Sequence, residues 1–227
     1  MATKDQSPSR DTSTTNGVTA LLLTTPGCTH CAALKKILDS LLKDGVLETL
    51  NVVDVTKQPE LANRYNVKSV PWLKLGDFQF QGSMTEKELR QWISLVNSRK
   101  GDTRYLKYLL ENGELNQVID LIRDHSQSIG DLLPLILDAE QDMKVRLGVS
   151  AVFEELQGSD ILGATVEQLG ELVGHENPQV RADIAHFLAL TGDETAIPYL
   201  QRLARDTNPQ VREIADEALT EPPDELS

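Results

Sequence analysis

The chain has 227 residues and 40% of them are apolar, but its longest apolar run, Val18 to Leu23, is far shorter than the roughly 20 residues of a membrane span. The first seventeen residues lack the apolar segment of a secretory signal, and two cysteines are too few to staple a secreted domain, so we expect a cytoplasmic protein. The net charge is −13, divided into +3 for residues 1–100 and −16 for residues 102–227, and the acidic half excludes binding to nucleic acid or to an anionic membrane.

This uneven charge also indicates two domains, with Gly101 as the boundary. Residues 1–17 contain seven Ser or Thr and no Val, Ile, Leu or Phe, which predicts a disordered tail. We therefore predict a tail over residues 1–17, a first domain over 18–101 and a second domain over 102–227.

The first domain mixes strand and helix patterns. We predict a strand, a helix, a strand, a helix, two strands and a helix, over residues 18–23, 34–42, 47–55, 59–65, 72–75, 78–80 and from 85 onward. Thr85 and Glu88 have the spacing of a capping box, which marks the start of the last helix. This order predicts a sheet with helices on both faces.

The second domain shows only helix patterns and contains a repeat. Its helices are predicted near 102–111, 114–125, 129–140, 144–156, 165–174, 178–190, 194–205 and 209–220. The sequence Asn-Pro-Gln-Val-Arg at 177–181 recurs at 208–212, and a fainter copy lies at 142–146. These stretches resemble HEAT repeats, which implies a helical solenoid that binds proteins on an extended surface.

The strongest chemical signal is Cys28-Thr29-His30-Cys31, between the first strand and the first helix. At a helix N-terminus, free N–H groups favour a thiolate on Cys28, and Cys31 lies one turn further on, close enough to form a disulfide. We expect Cys28 to be exposed and to attack a substrate disulfide, and Cys31 to be buried and to resolve the mixed disulfide. The alternatives are two incidental core thiols, half of a zinc site, or an iron–sulfur cluster shared by two chains.

Val70-Pro71 follows the cysteines by forty residues, and with this proline the segment 18–98 resembles the thioredoxin superfamily. The resemblance implies a four-stranded mixed sheet with flanking helices. It also implies that Pro71 is cis and faces the sulfurs, so that the backbone of Val70 can pair with an extended substrate.

The sequence departs from typical thioredoxins at several positions. Gly27 replaces a Trp, and Thr29-His30 replaces Gly-Pro between the cysteines. Leu22 and Val52 stand where thioredoxins have a buried acid and a lysine. His30 is the residue type found at this position in disulfide isomerases and oxidising relatives, where it stabilises the thiolate. We therefore expect Thr29 and His30 to tune the redox potential.

Two functions fit these observations. The first is a thiol-disulfide oxidoreductase whose HEAT-like module docks protein clients, with a basic partner favoured by the acidic second domain. The alternative is a non-catalytic HEAT scaffold with a redox-sensing thioredoxin-like domain. We expect no metal and no cofactor in either case. The direction of electron flow and the electron donor stay open.

Overall fold

The computed structural model describes residues 17–98, 102–138 and 140–220. The chain divides after Gly101 into two compact units, each with its own apolar core. The predicted boundary residue and all but the last residue of the predicted tail lie outside the described ranges. Within these ranges, no helix is both long and apolar enough to cross a membrane.

The first unit is a mixed sheet with flanking helices, as predicted. Its elements are β1 (Val18–Thr24), α1 (Thr29–Lys43), β2 (Leu47–Asp54), α2 (Pro59–Arg64), β3 (Trp72–Leu75), β4 (Phe78–Gln81) and α3 (Glu86–Ser98). The strand order is β2-β1-β3-β4. The β1–β2 pair is parallel, whereas β3 is antiparallel to both β1 and β4.

Local signals set the ends of these elements, and apolar side chains hold them together. The capping box is confirmed: the Glu88 carboxylate accepts hydrogen bonds from the N–H and the hydroxyl of Thr85, both at 2.7 Å. These bonds lower the pKa of Glu88. Gly45 follows α1 with φ +70°, a conformation that glycine adopts without steric cost. In the core, β1 and α1 bury a set of leucines, namely Leu22, Leu23, Leu34, Leu38 and Leu41.

The second unit is helical throughout its described residues. The helices are α4 (Asp102–Asn112), α5 (Leu115–Asp124), α6 (Leu133–Leu137), α7 (Met143–Glu155), α8 (Asp160–Gly163), α9 (Val166–Glu171), α10 (Pro178–Thr191), α11 (Ile197–Leu203) and α12 (Pro209–Thr220). Two 3-10 segments, Ser126–Leu132 and Glu194–Ala196, lead into α6 and α11.

Several predicted helix bounds in this unit are wrong. The single helices predicted over 129–140 and 194–205 each consist of a 3-10 segment followed by a short α-helix. Pro134 and Pro198 lie in the first turns of α6 and α11, and proline has no N–H to bond the preceding turn. The one-turn helix α8 was not predicted, because four residues are too few to show a helical period.

The repeated pentapeptide forms the same contacts in both copies. The side chains of Asn177 and Asn208 each accept a hydrogen bond, at 2.9 Å, from the backbone N–H two residues later. Arg181 and Arg212 each donate from Nη1 to the carbonyl oxygens six and five residues earlier, at 2.7 and 3.1 Å. The repeat therefore encodes a helix cap and a clamp on the loop before the helix.

Arg181 also connects two repeats. Its Nε and Nη2 bind both carboxylate oxygens of Asp206 at 2.7 and 2.8 Å, and both side chains are largely buried. This pairing lowers the pKa of Asp206 below its usual range. Arg146 pairs with Asp183 in a related way, but burial raises the pKa of Asp183 despite this partner.

We expect Asp206→Asn to lower the free energy of unfolding by about 2 kcal/mol, because it leaves Arg181 without its carboxylate partner. Denaturant unfolding of the variant measures this loss, and Asp216→Asn, an exposed position on α12, is the matched control. Because folding lowers the pKa of Asp206, its contribution is present at neutral pH and is lost as the pH falls through that lowered pKa. If the difference in the free energy of unfolding between the native chain and the Asp206→Asn variant grew as the pH was lowered, this explanation would be wrong.

Candidate active site

The two cysteines form a disulfide at the start of α1. Cys28 is the N-cap residue of this helix, and its Sγ accepts a hydrogen bond from the backbone N–H of Cys31 at 3.1 Å. Cys31 is buried, with 3% of its surface exposed, whereas Cys28 is half-buried rather than fully exposed as expected from the sequence. The more accessible cysteine is therefore the one that caps α1, beside the N–H groups of the first helical turn.

Gly27 explains one of the departures from typical thioredoxins. Its φ is +78°, in the left-handed region, and it directly precedes the cysteine that caps α1. A bulky residue such as Trp would be strained in this conformation. The turn after β1 thus reaches Cys28 by a backbone path that requires glycine.

The Val70–Pro71 peptide bond is cis, as predicted. Trp72 lies opposite Leu23 in the antiparallel β1–β3 pair, so β3 begins at the end of the sheet where β1 ends and the Cys28 turn follows. The backbone N–H and carbonyl of Val70 form no hydrogen bond with any residue that the structure describes. This end of the sheet therefore combines the disulfide with the unpaired backbone of Val70.

An apolar cluster supports this segment from below. Trp72 is buried and stacks on Tyr65 with ring centroids 4.9 Å apart. Val70 packs against the cluster that Trp72 forms with Leu23 and Val53. Packing on three strands fixes the position of Val70, although its backbone is free.

The positions of the missing acid and lysine are neighbours. Leu22 on β1 lies opposite Val52 on the parallel strand β2, and Leu22 is fully buried. An apolar pair therefore replaces the charged pair of typical thioredoxins. Neither of these apolar side chains can accept a proton.

Asp54 is a carboxylate at this end of the sheet that the sequence analysis did not single out. It ends β2 opposite Thr24 and accepts hydrogen bonds from the N–H and hydroxyl of Thr56, at 2.9 and 2.7 Å. These bonds lower the pKa of Asp54, which makes it a weak base. The Asp-x-Thr sequence is a recognisable turn signal and could have identified this contact.

Thr29 and His30 occupy the first turn of α1 between the cysteines, and both are exposed. We expect His30→Pro to make the pair more reducing, by about 30 mV, because it removes a group that stabilises the Cys28 thiolate. Proline is tolerated in a first helical turn, so the fold should persist. Equilibration with glutathione buffers measures the potential. His30→Ala separates loss of the imidazole from the effect of proline, and a potential that stays constant or rises in both variants would show that His30 does not act on the sulfur.

Among the residues that the structure describes, no three or more His, Cys, Asp or Glu side chains are arranged to hold a metal ion. Cys28 and Cys31 are bonded to each other, so neither thiolate is available as a ligand in this state. A disulfide at the N-terminus of a helix can undergo exchange with a thiolate.

Comparison with known proteins assigns both units. Residues 19–94 match the family model described as a thioredoxin domain, and residues 129–220 match the model described as HEAT repeats. No curated protein matches the chain. The chain therefore contains a thioredoxin domain with a CxxC pair, followed by HEAT repeats.

Proposed function

We propose that this protein is a thiol-disulfide oxidoreductase whose Cys28–Cys31 pair exchanges electrons with protein clients. The observation that supports this proposal most directly is the position of the disulfide at the N-terminus of α1, at the same end of the sheet as cis-Pro71. The unpaired backbone of Val70 offers an extended client segment hydrogen bonds beside the sulfurs.

The exchange proceeds in two steps. The Cys28 thiolate attacks one sulfur of a client disulfide, forms a mixed disulfide and releases the other client sulfur as a thiolate. Cys31 then loses its proton to solvent and attacks Sγ of Cys28, which reforms the disulfide and releases the second client thiolate. The client gains two electrons, and an external dithiol must reduce the Cys28–Cys31 pair before the next cycle. The reverse sequence oxidises a client dithiol.

Turnover of a small disulfide tests this proposal. The full chain, with dithiothreitol as reductant, should reduce 5,5′-dithiobis(2-nitrobenzoate) or oxidised glutathione over many cycles, faster than dithiothreitol does alone. A single stoichiometric release of thiol, followed by the uncatalysed rate, would instead identify a redox sensor. The measured reduction potential of the pair would then show which direction of exchange it favours.

The sensor is the second candidate, and the apolar pair of Leu22 and Val52 favours it. Neither Leu22 nor Val52 can take up a proton from the buried Cys31, so the thiolate fraction of Cys31 near neutral pH should be small. Attack by Cys31 on the mixed disulfide requires its thiolate. Below the pKa of this thiol, the rate of resolution should therefore increase about tenfold for each unit by which the pH is raised. A pair that reacts once and resolves slowly is suited to sensing.

We assign protein docking to the HEAT repeats and chemistry to the thioredoxin domain. The helical part carries a charge of −16 and contains no cysteine. Repeat surfaces of this kind bind extended protein segments, and the charge should attract a basic partner with an association rate that falls as salt rises. Cleavage of the chain at Gly101 tests whether docking and chemistry belong to separate domains.

We expect the fragment 1–101 to reduce small disulfides within about twofold of the rate of the full chain, and to lose activity only toward protein clients. Stopped-flow assays of the fragment and the full chain, with circular dichroism to verify folding, make the comparison. If the fragment is folded but inert toward small disulfides, the helices complete the active site and this assignment is wrong.

We also propose that the protein acts in the cytoplasm. Both of its cysteines belong to the CxxC pair, so it has no further disulfide of the kind that accumulates in secreted domains. Alkylation of the pair in fractionated cells would locate the protein and report its redox state together.

A further inference from the structure

The HEAT repeats contain a cavity of about 690 Å³ whose charge is opposite to that of the surrounding unit. It lies between the loop that precedes α10 and the segment that joins α11 to α12. Three guanidinium groups and two carboxylates line it, from Arg181, Arg202, Arg205, Glu176 and Asp206. The unit as a whole carries −16, so this excess of cations is a local property of the cavity.

Two of the three guanidinium groups have no protein partner. Arg181 is fully engaged with Asp206 and with two carbonyl oxygens. Arg202 and Arg205 form no ion pair and no side-chain hydrogen bond with the residues that the structure describes, and both are exposed. Their charges are therefore available to a bound anion.

The repeat itself does not require these two arginines. With the 31-residue offset, Arg202 and Arg205 correspond to Glu171 and Gly174 of the preceding repeat. The apolar positions beside them are kept, since Leu200 and Leu203 correspond to Leu169 and Leu172. The cations are thus specific to this place in the chain, whereas the packing residues repeat.

Gly174 allows Arg202 to approach the opposite side of the cavity. A Cβ at Gly174 would lie 3.1 Å from Nη2 of Arg202, closer than an ordinary contact, and the backbone φ there does not require glycine. The absence of a side chain therefore serves the approach of the guanidinium group. An alanine at this position would require the guanidinium group to move away by a few tenths of an ångström.

His175 supplies a further donor. Its Nδ1 accepts a hydrogen bond from the backbone N–H of Asn177 at 3.1 Å, so the proton of the neutral ring is on Nε2. This nitrogen is free to donate to a carbonyl oxygen. Of the cavity-lining residues, all of them within the described part of the chain, none is Phe, Tyr or Trp, so the cavity offers no ring on which a nucleotide base could stack.

We propose that this cavity binds a short acidic peptide segment of a partner protein. Carboxylate side chains of the segment pair with Arg202 and Arg205, and its backbone uses the His175 ring as donor and the Glu176 carboxylate as acceptor. An extended peptide supplies both acceptors and N–H donors, which matches a lining of mixed polarity. An inorganic phosphate dianion has a single hydroxyl donor, whereas an extended peptide presents several N–H groups to the Glu176 carboxylate.

The site goes beyond the redox proposal, because binding here involves no thiol chemistry. At physiological ionic strength the electrostatic screening length is about 8 Å. Repulsion between an acidic peptide and the distant carboxylates of the −16 unit is therefore screened, whereas its direct ion pairs with the arginines of the cavity persist. A partner that is basic over most of its surface can still place one acidic segment in the cavity. Loss of peptide binding at the cavity would leave the turnover of small disulfides by Cys28 and Cys31 unaffected.

Calorimetry on the full chain at 150 mM salt tests the proposal with hexaglutamate, hexalysine and inorganic phosphate as probes. We expect hexaglutamate to bind, and the double variant Arg202→Gln/Arg205→Gln to weaken this binding at least about tenfold. The control Arg123→Gln/Lys144→Gln changes the net charge equally at exposed positions on α5 and α7 and should leave binding within twofold.

Two further measurements keep the test decisive. Arg202 also lies in the last turn of α11, where a cation favours the helix, so unfolding curves are recorded for every variant. The variant Gly174→Ala leaves both arginines in place and should weaken hexaglutamate binding about threefold or more. In addition, titration of the native chain with hexaglutamate should shift the NMR signals of the Nε–Hε groups of Arg202 and Arg205. Hexalysine can bind the −16 surface elsewhere, so its binding should not respond to the Arg202 and Arg205 substitutions. Binding of phosphate without hexaglutamate, equal losses in the control, or no binding of hexaglutamate would each overturn the proposal.

Discussion

Replacement of Cys28 by serine is expected to abolish turnover of small disulfides, with a loss of at least about a hundredfold relative to the native chain. Cys28 is the more accessible sulfur and caps α1, where the helix N-terminus favours the thiolate. A serine hydroxyl at this position is not ionised near neutral pH and cannot attack a disulfide. Steady-state release of thionitrobenzoate measures the rate.

The matched control for this variant is Ser40→Ala, at an exposed position on α1, which leaves both sulfurs in place and should keep the native rate. Serine remains a good helix-capping residue, so the Cys28→Ser variant should keep the native circular dichroism spectrum. Residual turnover above one tenth of the native rate would show that Cys28 is not the attacking sulfur.

Replacement of Cys31 should have a different effect, namely accumulation of a mixed disulfide between Cys28 and the client. Cys31 is the residue proposed to resolve this intermediate, and the disulfide demonstrates that it can reach Cys28. Non-reducing electrophoresis of Cys31→Ser after incubation with an oxidised client should show an adduct that dithiothreitol removes. Because Cys31 is buried, Cys31→Ala is tested in parallel to avoid a buried hydroxyl.

The double variant Cys28→Ser/Cys31→Ser should give no adduct, which tests whether trapping occurs through Cys28. If Cys28→Ser forms the adduct and Cys31→Ser does not, the two cysteines have the opposite roles. The order of attack would then follow thiol reactivity rather than exposure, and the proposed mechanism would have to be reversed.

Much of the first unit could be predicted from local sequence. The β1 run, the hairpin of β3 and β4 and the Thr85–Glu88 box are short-range signals, and their strands and cap are found where predicted. Cis-Pro71 was predicted from its place in the strand order. The prediction was less accurate for the exposure of Cys28, because the turn around it determines how much of its surface is covered.

The second unit was harder to predict because its details depend on contacts between distant residues. The repeat identified the caps of α10 and α12, but 25 residues separate Arg181 from Asp206, and no local pattern pairs them. Proline in the first turn of α6 and α11 divided helices that had been predicted as continuous. The cavity is formed by segments from two successive repeats, so it becomes visible only when these are packed together.

Arg212 has a consequence for how this solenoid opens. It clamps its own loop as Arg181 does, but within the described residues it has no carboxylate equivalent to Asp206. Stability in repeat arrays is approximately a sum of units and nearest-neighbour couplings, and among the described elements α12 packs mainly on α10 and α11. Amide exchange should therefore be fastest in α12 and slow progressively toward α10. A helix without such a carboxylate pair should open before α10, which the Arg181–Asp206 pair couples to the next repeat.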